Sequence, residues 1–265
     1  MASDGAEVKA GLRPGWFGRG LAAAGRLVLD QLYPPGCMAC NAPLVASDGL
    51  CPQCHGHLRV ITRPYCPVLG LPFASDQGAG ALSAEALADP PPFARARAAV
   101  AYGEVAQALV GRLKYGDRPE LAQFCARLMA GAGDDFWGEH PILVPVPLHV
   151  SRLRFRRYNQ SLLLAQAVGR LTGLEVDAHL ILRHRRTRQQ VGLSGDGRLR
   201  NVQGAFSLHP RALERARGRR VVLVDDVYTT GATVKAVTRT LLRGGVAGVD
   251  VLTFARVVIG GDDTI

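Results

Sequence analysis

Aromatic residues are scarce in this chain of 265 residues, because Phe, Trp and Tyr together make up only 6% of it. Proteins that hold single-stranded nucleic acid by base stacking use aromatic side chains as platforms. Near the basic stretches of this sequence the only rings are those of Phe155 and Tyr158. Long apolar runs are missing too, since none approaches the roughly 20 residues that a membrane-spanning helix needs. We therefore expect no stacking platform and no membrane span.

Two nucleotide-binding motifs are also missing. No G-x-x-x-x-G-K-[ST] occurs, which disfavours a nucleoside-triphosphate loop, and the Gly78–Gly80 pair does not form a dinucleotide fingerprint. The first 32 residues are broken by Arg19 and Arg26, and their apolar residues recur at helical spacing. This pattern predicts a packing helix and not a signal peptide. The expected location is cytoplasmic.

Composition indicates a globular protein, with 48% hydrophobic and 20% charged residues. The net charge of +10 is compatible with phosphorylated or polyanionic partners. Four regions separate by composition: a helical segment at 1–32, a cysteine-rich module at 33–71, an Ala-, Gly- and Pro-rich linker at 72–94 and a domain at 95–265. No internal repeat is evident in the sequence.

The last region alternates short apolar strands with helical patterns, which predicts βαβ units and a mostly parallel sheet. The predicted strands are "ARAAVAY", "PILVPV", "RRVVLV" and "VDVLTFARVV". Helices are expected up to Leu113, from Asn159 to a C-cap at Gly173, and from about Thr230 to Arg243. Leu164, Val168 and Leu171 are expected on one face of the second of these helices.

The most informative stretch is "VVLVDDVYTTGAT", residues 221–233. Ligands in such sheets bind at the carboxyl ends of strands, where Asp225 and Asp226 fall. The turn that follows opens a helix, whose N–H groups and dipole favour an anion. Gly231 allows the backbone to approach that anion closely. The three threonines of the turn add hydroxyl donors.

Carboxylates and a phosphate loop side by side predict a ligand with both hydroxyl groups and a phosphate. A sugar phosphate meets that requirement, with or without a magnesium ion between its oxygens and the carboxylates. The alternative is a pair of aspartates that caps a helix beside an ordinary threonine-rich turn. For the complete thirteen-residue string we prefer the sugar-phosphate interpretation.

Five of the six cysteines lie between residues 37 and 66. Cys37, Cys40, Cys51 and Cys54 give C-x2-C-x10-C-x2-C, the spacing of two knuckles that form a closed zinc site. In a reducing compartment such clusters are metal ligands more often than disulfides. Such a zinc ion contributes folding energy and not catalysis. Cys125 falls in a helical pattern and is expected to be a buried thiol.

The string at 221–233 resembles the signature of type I phosphoribosyltransferases, which bind 5-phosphoribosyl 1-pyrophosphate with magnesium. Further stretches resemble the ComF family, phosphoribosyltransferase-like proteins linked to natural competence. They are "LYPPGCMAC" with "LCPQC", "LKYGDR", "VPVPLHVSRLRFRRYNQ" and "TRQQVGLSGDGRLRNVQGAF". The resemblance implies an α/β domain, a phosphoribosyltransferase-like parallel sheet with flanking helices, preceded by a small zinc-ribbon-like module.

The resemblance also implies residue roles. Asp225 and Asp226 match the acidic pair that holds the ribose. The 5-phosphate loop corresponds to Val227, Tyr228, Thr229, Thr230, Gly231, Ala232 and Thr233. The pyrophosphate loop corresponds to Val146, Pro147 and Leu148, and the leaving pyrophosphate would be neutralised by Lys114, Arg152, Arg156 and Arg157. The stretch 183–203 resembles a closing loop, with family-matching positions at Thr187, Gln190, Leu193, Ser194, Arg198 and Asn201.

Family members often carry a further C-x-x-C-G pair, which in this chain reads "CPVLG". Leu69 therefore stands where a second cysteine is expected, and Cys66 is either a spare thiol or an alternative fourth ligand of the zinc site. A second metal site is in doubt for the same reason.

Two functional hypotheses follow. The first is magnesium-dependent transfer of a phosphoribosyl group to an unknown acceptor, with a role in DNA uptake. The second is a non-catalytic competence protein that senses a nucleotide or handles single-stranded DNA, with DNA-uptake proteins as partners. A regulator that has kept the pocket and lost the activity is a third reading, although such a loss usually erodes the acidic pair or the loop.

Overall fold

The computed structural model of the chain describes residues 35–45, 49–115, 120–148, 158–184 and 204–258. The helical segment expected at 1–32 lies outside them. The described helices are α1 (Pro52–His57), α2 (Ala84–Ala88), α3 (Glu104–Tyr115), α4 (Leu121–Ala132), a 3₁₀ helix (Asp134–Glu139), α5 (Gln160–Thr172), α6 (Pro210–Ala216) and α7 (Ala232–Arg243). The described strands are β1 (Arg95–Ala101), β2 (Ile142–Pro145), β3 (Ile181–Arg183), β4 (Phe206–Leu208), β5 (Arg220–Tyr228) and β6 (Gly248–Arg256).

Four of these strands form the parallel sheet that the sequence predicts, in the order β1-β6-β5-β2. Strand β5 is central, because it is hydrogen-bonded to β6 on one side and to β2 on the other. Strands β3 and β4 form a separate antiparallel pair. The carboxyl ends of β2 and β5 consequently meet at one edge of the sheet.

Both faces of the sheet are covered, which explains why β5 is a continuous apolar run. Its side chains alternate between two cores: Val222 and Val224 pack in one cluster with Leu164 of α5, whereas Leu223 packs in the other with Val237 of α7. Cys125 of α4 lies in the first cluster and is completely buried, as expected. None of the helices within the described ranges has the length and apolar character needed to cross a membrane.

The ends of the helices agree closely with the sequence. Helix α5 begins at its N-cap Asn159, whose side chain accepts from the Ser161 N–H at 3.1 Å, and ends at Gly173 with φ +72°. Leu164 and Val168 of α5 are buried, whereas Leu171, on the same side of the helix, is 55% exposed. Leu171 lies seven residues after Leu164, which puts it about 20° off the line of that side chain and at the rim of the buried face.

The other edge of the sheet, at the amino ends of the strands, is held by an ion network. Asp250 of β6 is 1% exposed and accepts from Arg95 at 2.9 and 3.0 Å and from Arg220 at 2.8 Å. The exposed Glu139 carboxylate also pairs with both arginines, at 3.0 and 3.1 Å. These contacts join the first residues of β1 and β5 to β6, so they fix the three strands at the edge away from Asp225.

Replacement of Asp250 by Asn should therefore destabilise the protein without touching the opposite edge. We expect a loss of about 2 kcal/mol in the free energy of unfolding, below the range for fully buried pairs because both arginines retain some exposure. Glu139→Gln, which removes an exposed partner of the same arginines, should cost less than about 1 kcal/mol. Urea unfolding measures both, and equal losses would contradict the account.

Candidate functional site

The two aspartates lie at the carboxyl end of β5, and each has a different set of partners. Asp225 Oδ1 accepts from the Ser161 hydroxyl at 2.9 Å and from the Asp226 N–H at 2.9 Å. Asp226 Oδ2 lies 2.7 Å from Lys114 Nζ. Helices α5 and α3 thus each deliver one side chain to the end of the central strand.

Burial, together with the neighbouring charge of Asp226, raises the pKa of Asp225 to about 7. The hydrogen bonds from Ser161 and the Asp226 backbone act in the opposite direction, and so does the positive charge of Lys114, but burial outweighs them. Near neutral pH this carboxyl group is thus divided between its acid and its ionised form. A bound cation would favour the ionised form and release the proton.

The turn after β5 connects the acidic pair to helix α7. Thr229 and Thr230 are exposed, Gly231 is buried with φ +71°, and α7 starts at Ala232. The N-cap residue of α7 is Gly231, which has no side chain with which to cap the helix. The helix dipole adds positive potential at the same point. The helix starts two residues later than the sequence predicts, because Thr230 and Gly231 belong to the turn.

The buried ring of Tyr228 packs against this turn at Gly231. This ring leaves no room for a side chain at Gly231, since an added Cβ there would lie 2.5 Å from Tyr228 Cζ. The ring packs edge-on against Phe93, with centroids 6.3 Å apart, and under the guanidinium of Arg256 at 4.9 Å. Arg256, 2% exposed, donates to the carbonyl of Leu69. The turn therefore rests on a packed layer that reaches the cysteine-rich module.

The segment Val146–Leu148 lies beside the acidic pair, because it follows β2. The Val146 N–H donates to the Val224 carbonyl at 2.9 Å, one residue before Asp225. Asn159 Nδ2 donates to the Val146 carbonyl at 3.2 Å, and Arg183 Nη1 donates to the Pro147 carbonyl at 3.3 Å. The predicted pyrophosphate segment and the acidic pair are thus neighbours at one edge of the sheet.

Several contributors were not among the predicted site residues: Ser161, Asn159, Arg183 and Arg256. Arg256 leaves a signal in the sequence as a charged residue inside the apolar run "VLTFARVV". Asn159 was predicted only as a helix start, and Arg183 only as the first residue of the predicted closing loop. Other predicted residues lie outside the described ranges: Arg152, Arg156, Arg157, Thr187, Gln190, Leu193, Ser194, Arg198 and Asn201.

The predicted metal ligands come together. The sulfur atoms of Cys37, Cys40, Cys51 and Cys54 all lie within 4.8 Å of one another, and the Cys40 and Cys51 sulfurs are 3.7 Å apart. Tetrahedral zinc with bonds of about 2.3 Å requires sulfur atoms about 3.8 Å apart, so the cluster is consistent with a structural zinc ion. Cys66 does not belong to the cluster.

The Cys37 thiol also suits a metal ligand. Burial acts to raise its pKa, but hydrogen bonds from the backbone of Cys40, Cys51 and Ala39 lower it to about 6. One of these donors, the Cys51 N–H, lies 3.2 Å from the Cys37 sulfur. A thiol of lowered pKa is readily present as the thiolate that binds metal.

Comparison with known families assigns both parts of the molecule. Residues 28–85 match the double zinc ribbon domain, and residues 112–260 match the phosphoribosyl transferase domain. The second match covers more than half of the chain and includes the acidic pair and the turn at 229–233. The chain is thus a phosphoribosyltransferase-domain protein with an N-terminal zinc ribbon module.

Similarity to individual proteins identifies a more specific family than the domain matches do. The chain is 34% identical to the DNA utilization protein YhgH of Escherichia coli strain K12 over 233 residues, which cover 85% of this chain and 99% of that protein. It is 31% identical to competence protein F of Haemophilus influenzae over 228 residues, which cover 83% and 96%. It therefore belongs to the ComF/YhgH family, which confirms the resemblance.

A solved structure, the allosteric regulatory enzyme of purine biosynthesis, superposes with a TM-score of 0.36 and 19% identity. The superposition covers 54% of this chain and 29% of that one. The assignment of the fold depends on the strand order and on the domain match.

The raised pKa of Asp225 predicts how stability depends on pH. The folded protein binds this proton more tightly than the unfolded chain, in which the pKa is 3.8, so the group's contribution is present at low pH and is lost as pH rises through about 7. Asp225→Asn keeps the hydrogen-bond acceptor and cannot ionise. It should raise the free energy of unfolding at both pH values, and by about 2–3 kcal/mol more at pH 8 than at pH 5, because the loss begins near the unfolded pKa of 3.8.

Urea unfolding at the two pH values measures this difference. Asp76→Asn, at an exposed carboxylate, is the matched control for the loss of one aspartate. A destabilised Asp225→Asn variant at pH 8 would contradict the assigned pKa.

Proposed function

We propose that the carboxyl edge of the sheet binds 5-phosphoribosyl 1-pyrophosphate, or a related ribose phosphate, together with magnesium. The observation that carries the proposal is the order of groups along one short segment. Asp225 and Asp226 lie near the carboxyl end of β5, and the turn that follows the strand leads into helix α7 at its N-cap Gly231. A ribose phosphate carries both the hydroxyl groups and the phosphate that such a segment would recognise.

The ligand groups would be divided between the two halves of the segment. The 5-phosphate would accept hydrogen bonds from the N–H groups and threonine hydroxyls of residues 229–233. The ribose hydroxyls would donate to Asp225 and Asp226, which are acceptors when ionised. Magnesium prefers carboxylate and phosphate oxygens, and it would neutralise the charge between the pyrophosphate and the acidic pair.

Lys114 would change partners when the ligand binds. Without ligand, its ammonium group neutralises Asp226 at 2.7 Å. Once ribose hydroxyls or magnesium engage that carboxylate, the lysine is free to pair with the leaving pyrophosphate. Its flexible stem allows such a change of partner without movement of the helix.

We further propose that the bound sugar phosphate is a donor in group transfer. A nucleophile of the acceptor would attack C1 of the ribose as the bond from C1 to the pyrophosphate oxygen breaks, and the bonding electrons leave with the pyrophosphate. Asp225 and Asp226 would hold the ribose in position while positive charge develops on its ring, and the two carboxylates would stabilise that charge. The acceptor is not specified by the described residues.

The biological setting we propose is the use of DNA. The support is the naming of two relatives, a DNA utilization protein and competence protein F. The net charge of +10 suits contact with a polyanion. The second candidate function is thus a competence protein that handles single-stranded DNA or senses a nucleotide in the same pocket, with DNA-uptake proteins as partners.

Calorimetric titration of the zinc-loaded protein with 5-phosphoribosyl 1-pyrophosphate tests the proposal. We expect micromolar binding that requires magnesium in the wild-type chain. Asp225→Asn combined with Asp226→Asn should weaken binding at least tenfold, because both acceptors for the ribose and the magnesium ion lose their charge.

The matched control is Asp76→Asn combined with Asp134→Asn, which changes the net charge equally at two exposed positions. This control should bind like the wild type. Absence of binding by folded wild-type protein would reject the ribose-phosphate proposal in favour of the second candidate.

The phosphate half of the site has its own test in Gly231→Ala. The added methyl group meets Tyr228, and alanine is strained at φ +71°, so the turn must shift. We expect the affinity for ribose 5-phosphate to fall about tenfold, which corresponds to about 1.4 kcal/mol. Gly111→Ala in α3, where a Cβ meets open space, should leave affinity unchanged. Equal affinities of the two variants would show that the phosphate binds elsewhere.

A further inference from the structure

The segment 64–88 has the same backbone pattern as the cysteine cluster that precedes it. In the first unit the Cys37 N–H donates to the Ala42 carbonyl at 2.8 Å, and the Asn41 N–H donates to the Cys37 carbonyl at 2.9 Å. In the second unit the Cys66 N–H donates to the Leu71 carbonyl at 2.8 Å, and the Gly70 N–H returns to the Cys66 carbonyl at 2.8 Å.

The flanking residues repeat as well. A bridge joins Gly36 to Pro43 in the first unit, and a bridge joins Tyr65 to Pro72 in the second. Asn41 and Gly70 occupy equivalent positions with φ of +65° and +63°. Each of these residues in the second unit lies 29 positions after its counterpart in the first unit, as Cys66 does after Cys37. The two knuckles are thus the same structure.

The second halves of the two units also correspond. Cys51 precedes α1, its side chain accepts from the Cys54 N–H at 3.4 Å, and its own N–H donates to the Cys37 sulfur at 3.2 Å. Ser83 precedes α2 and makes the same two contacts: its hydroxyl accepts from the Ala86 N–H at 3.4 Å, and its N–H donates to the Cys66 sulfur at 3.4 Å.

This correspondence identifies the residues at the second metal position. Cys66 replaces Cys37, but Leu69 stands for Cys40, Ser83 for Cys51 and Ala86 for Cys54. One thiol, one hydroxyl and two hydrocarbon groups do not fit zinc, which needs four nitrogen, sulfur or carboxylate ligands. The double zinc ribbon domain that matches residues 28–85 implies a second ion, and the residues present cannot hold it.

We propose that residues 64–88 form a second ribbon that binds no metal and is held instead by packing against the phosphoribosyltransferase domain, so that the chain binds a single zinc ion. This unit combines the end of the expected cysteine module with most of the expected linker. The inference does not depend on the proposed ribose-phosphate function.

Contacts with the sheet replace the metal as the link that holds the second unit. Cys66, Leu69 and Ala86 are at most 4% exposed and belong to the core cluster that contains Leu223 and Val251 of the sheet. Their burial supplies hydrophobic free energy in place of metal bonds.

Polar contacts anchor the same knuckle to the sheet. Arg256 donates to the Leu69 carbonyl, and Arg97 Nη1 donates to the Pro67 carbonyl at 2.9 Å. The Ala96 N–H donates to the Val68 carbonyl at 2.7 Å. The second unit is therefore built into the large domain.

Zinc content per chain tests the inference, measured on the purified full-length protein by elemental analysis. Wild type should hold one zinc ion, and Cys40→Ser combined with Cys54→Ser should hold none. The variant with Leu69→Cys, Ser83→Cys and Ala86→Cys completes the second set of four thiols and should hold two.

The matched control is Leu69→Ser with Ala86→Ser, which introduces polar groups at the same positions without thiols and should still hold one ion. Two zinc ions in the wild type, or one that survives in Cys40→Ser with Cys54→Ser, would overturn the inference. A folded triple-cysteine variant with a single ion would overturn the correspondence of the two units. If that variant does not fold, the first two measurements still decide the question.

Discussion

The central constraint in this molecule is that β5 is hydrogen-bonded on both sides and covered on both faces. A strand held in this way cannot slide or rotate, so Asp225 and Asp226 near its carboxyl end have fixed positions. Desolvation of Asp225 there, together with the charge of Asp226, raises the pKa of its carboxyl group to about 7. Ionisation of Asp225 therefore lowers the stability of the fold. This residue lies where Ser161 and Lys114 approach the acidic pair.

The two edges of the sheet do different things. At the amino edge, Asp250 is fully compensated by two arginines, so buried charge contributes to stability. At the carboxyl edge, Asp225 forms no ion pair among the described residues, and Asp226 pairs with one lysine, Lys114. A partly buried carboxyl group with a raised pKa and no ion pair is poor for folding, and such groups are common at functional sites.

The sequence predicted those features that short segments encode. The string at 221–233 contains the strand, the acidic pair, the turn and the helix start in one continuous segment. The spacing of the four cysteines likewise predicted that their sulfur atoms cluster. Contacts between distant segments could not be read in this way: Ser161 and Asp225 are 64 positions apart, and nothing local marks that serine as a partner. The second ribbon was only partly marked in the sequence: "CPVLG" indicated its first knuckle, but the internal repeat that the structure shows was missed. Its shape depends on backbone hydrogen bonds and a positive φ at Gly70, and three of its four ligand positions no longer carry a cysteine.

The two ribbon units contact the domain in different ways, which gives the cysteine-rich module a role beyond metal binding. The first unit packs on α3, the helix that carries Lys114, and the second supports the layer of Arg256 and Tyr228 below the turn. Both halves of the proposed site thus rest on this module. A structural change in the cysteine-rich module is therefore expected to alter the proposed site through these contacts.

A crystal structure of the zinc-loaded protein with ribose 5-phosphate and magnesium would test the central claim most directly. The account predicts that phosphate oxygens lie about 2.7–3.2 Å from N–H groups of residues 229–233, with ribose hydroxyls on Asp225 and Asp226. A ligand bound away from the turn, with Asp226 still paired to Lys114 and Asp225 still held only by Ser161 and the backbone, would contradict it.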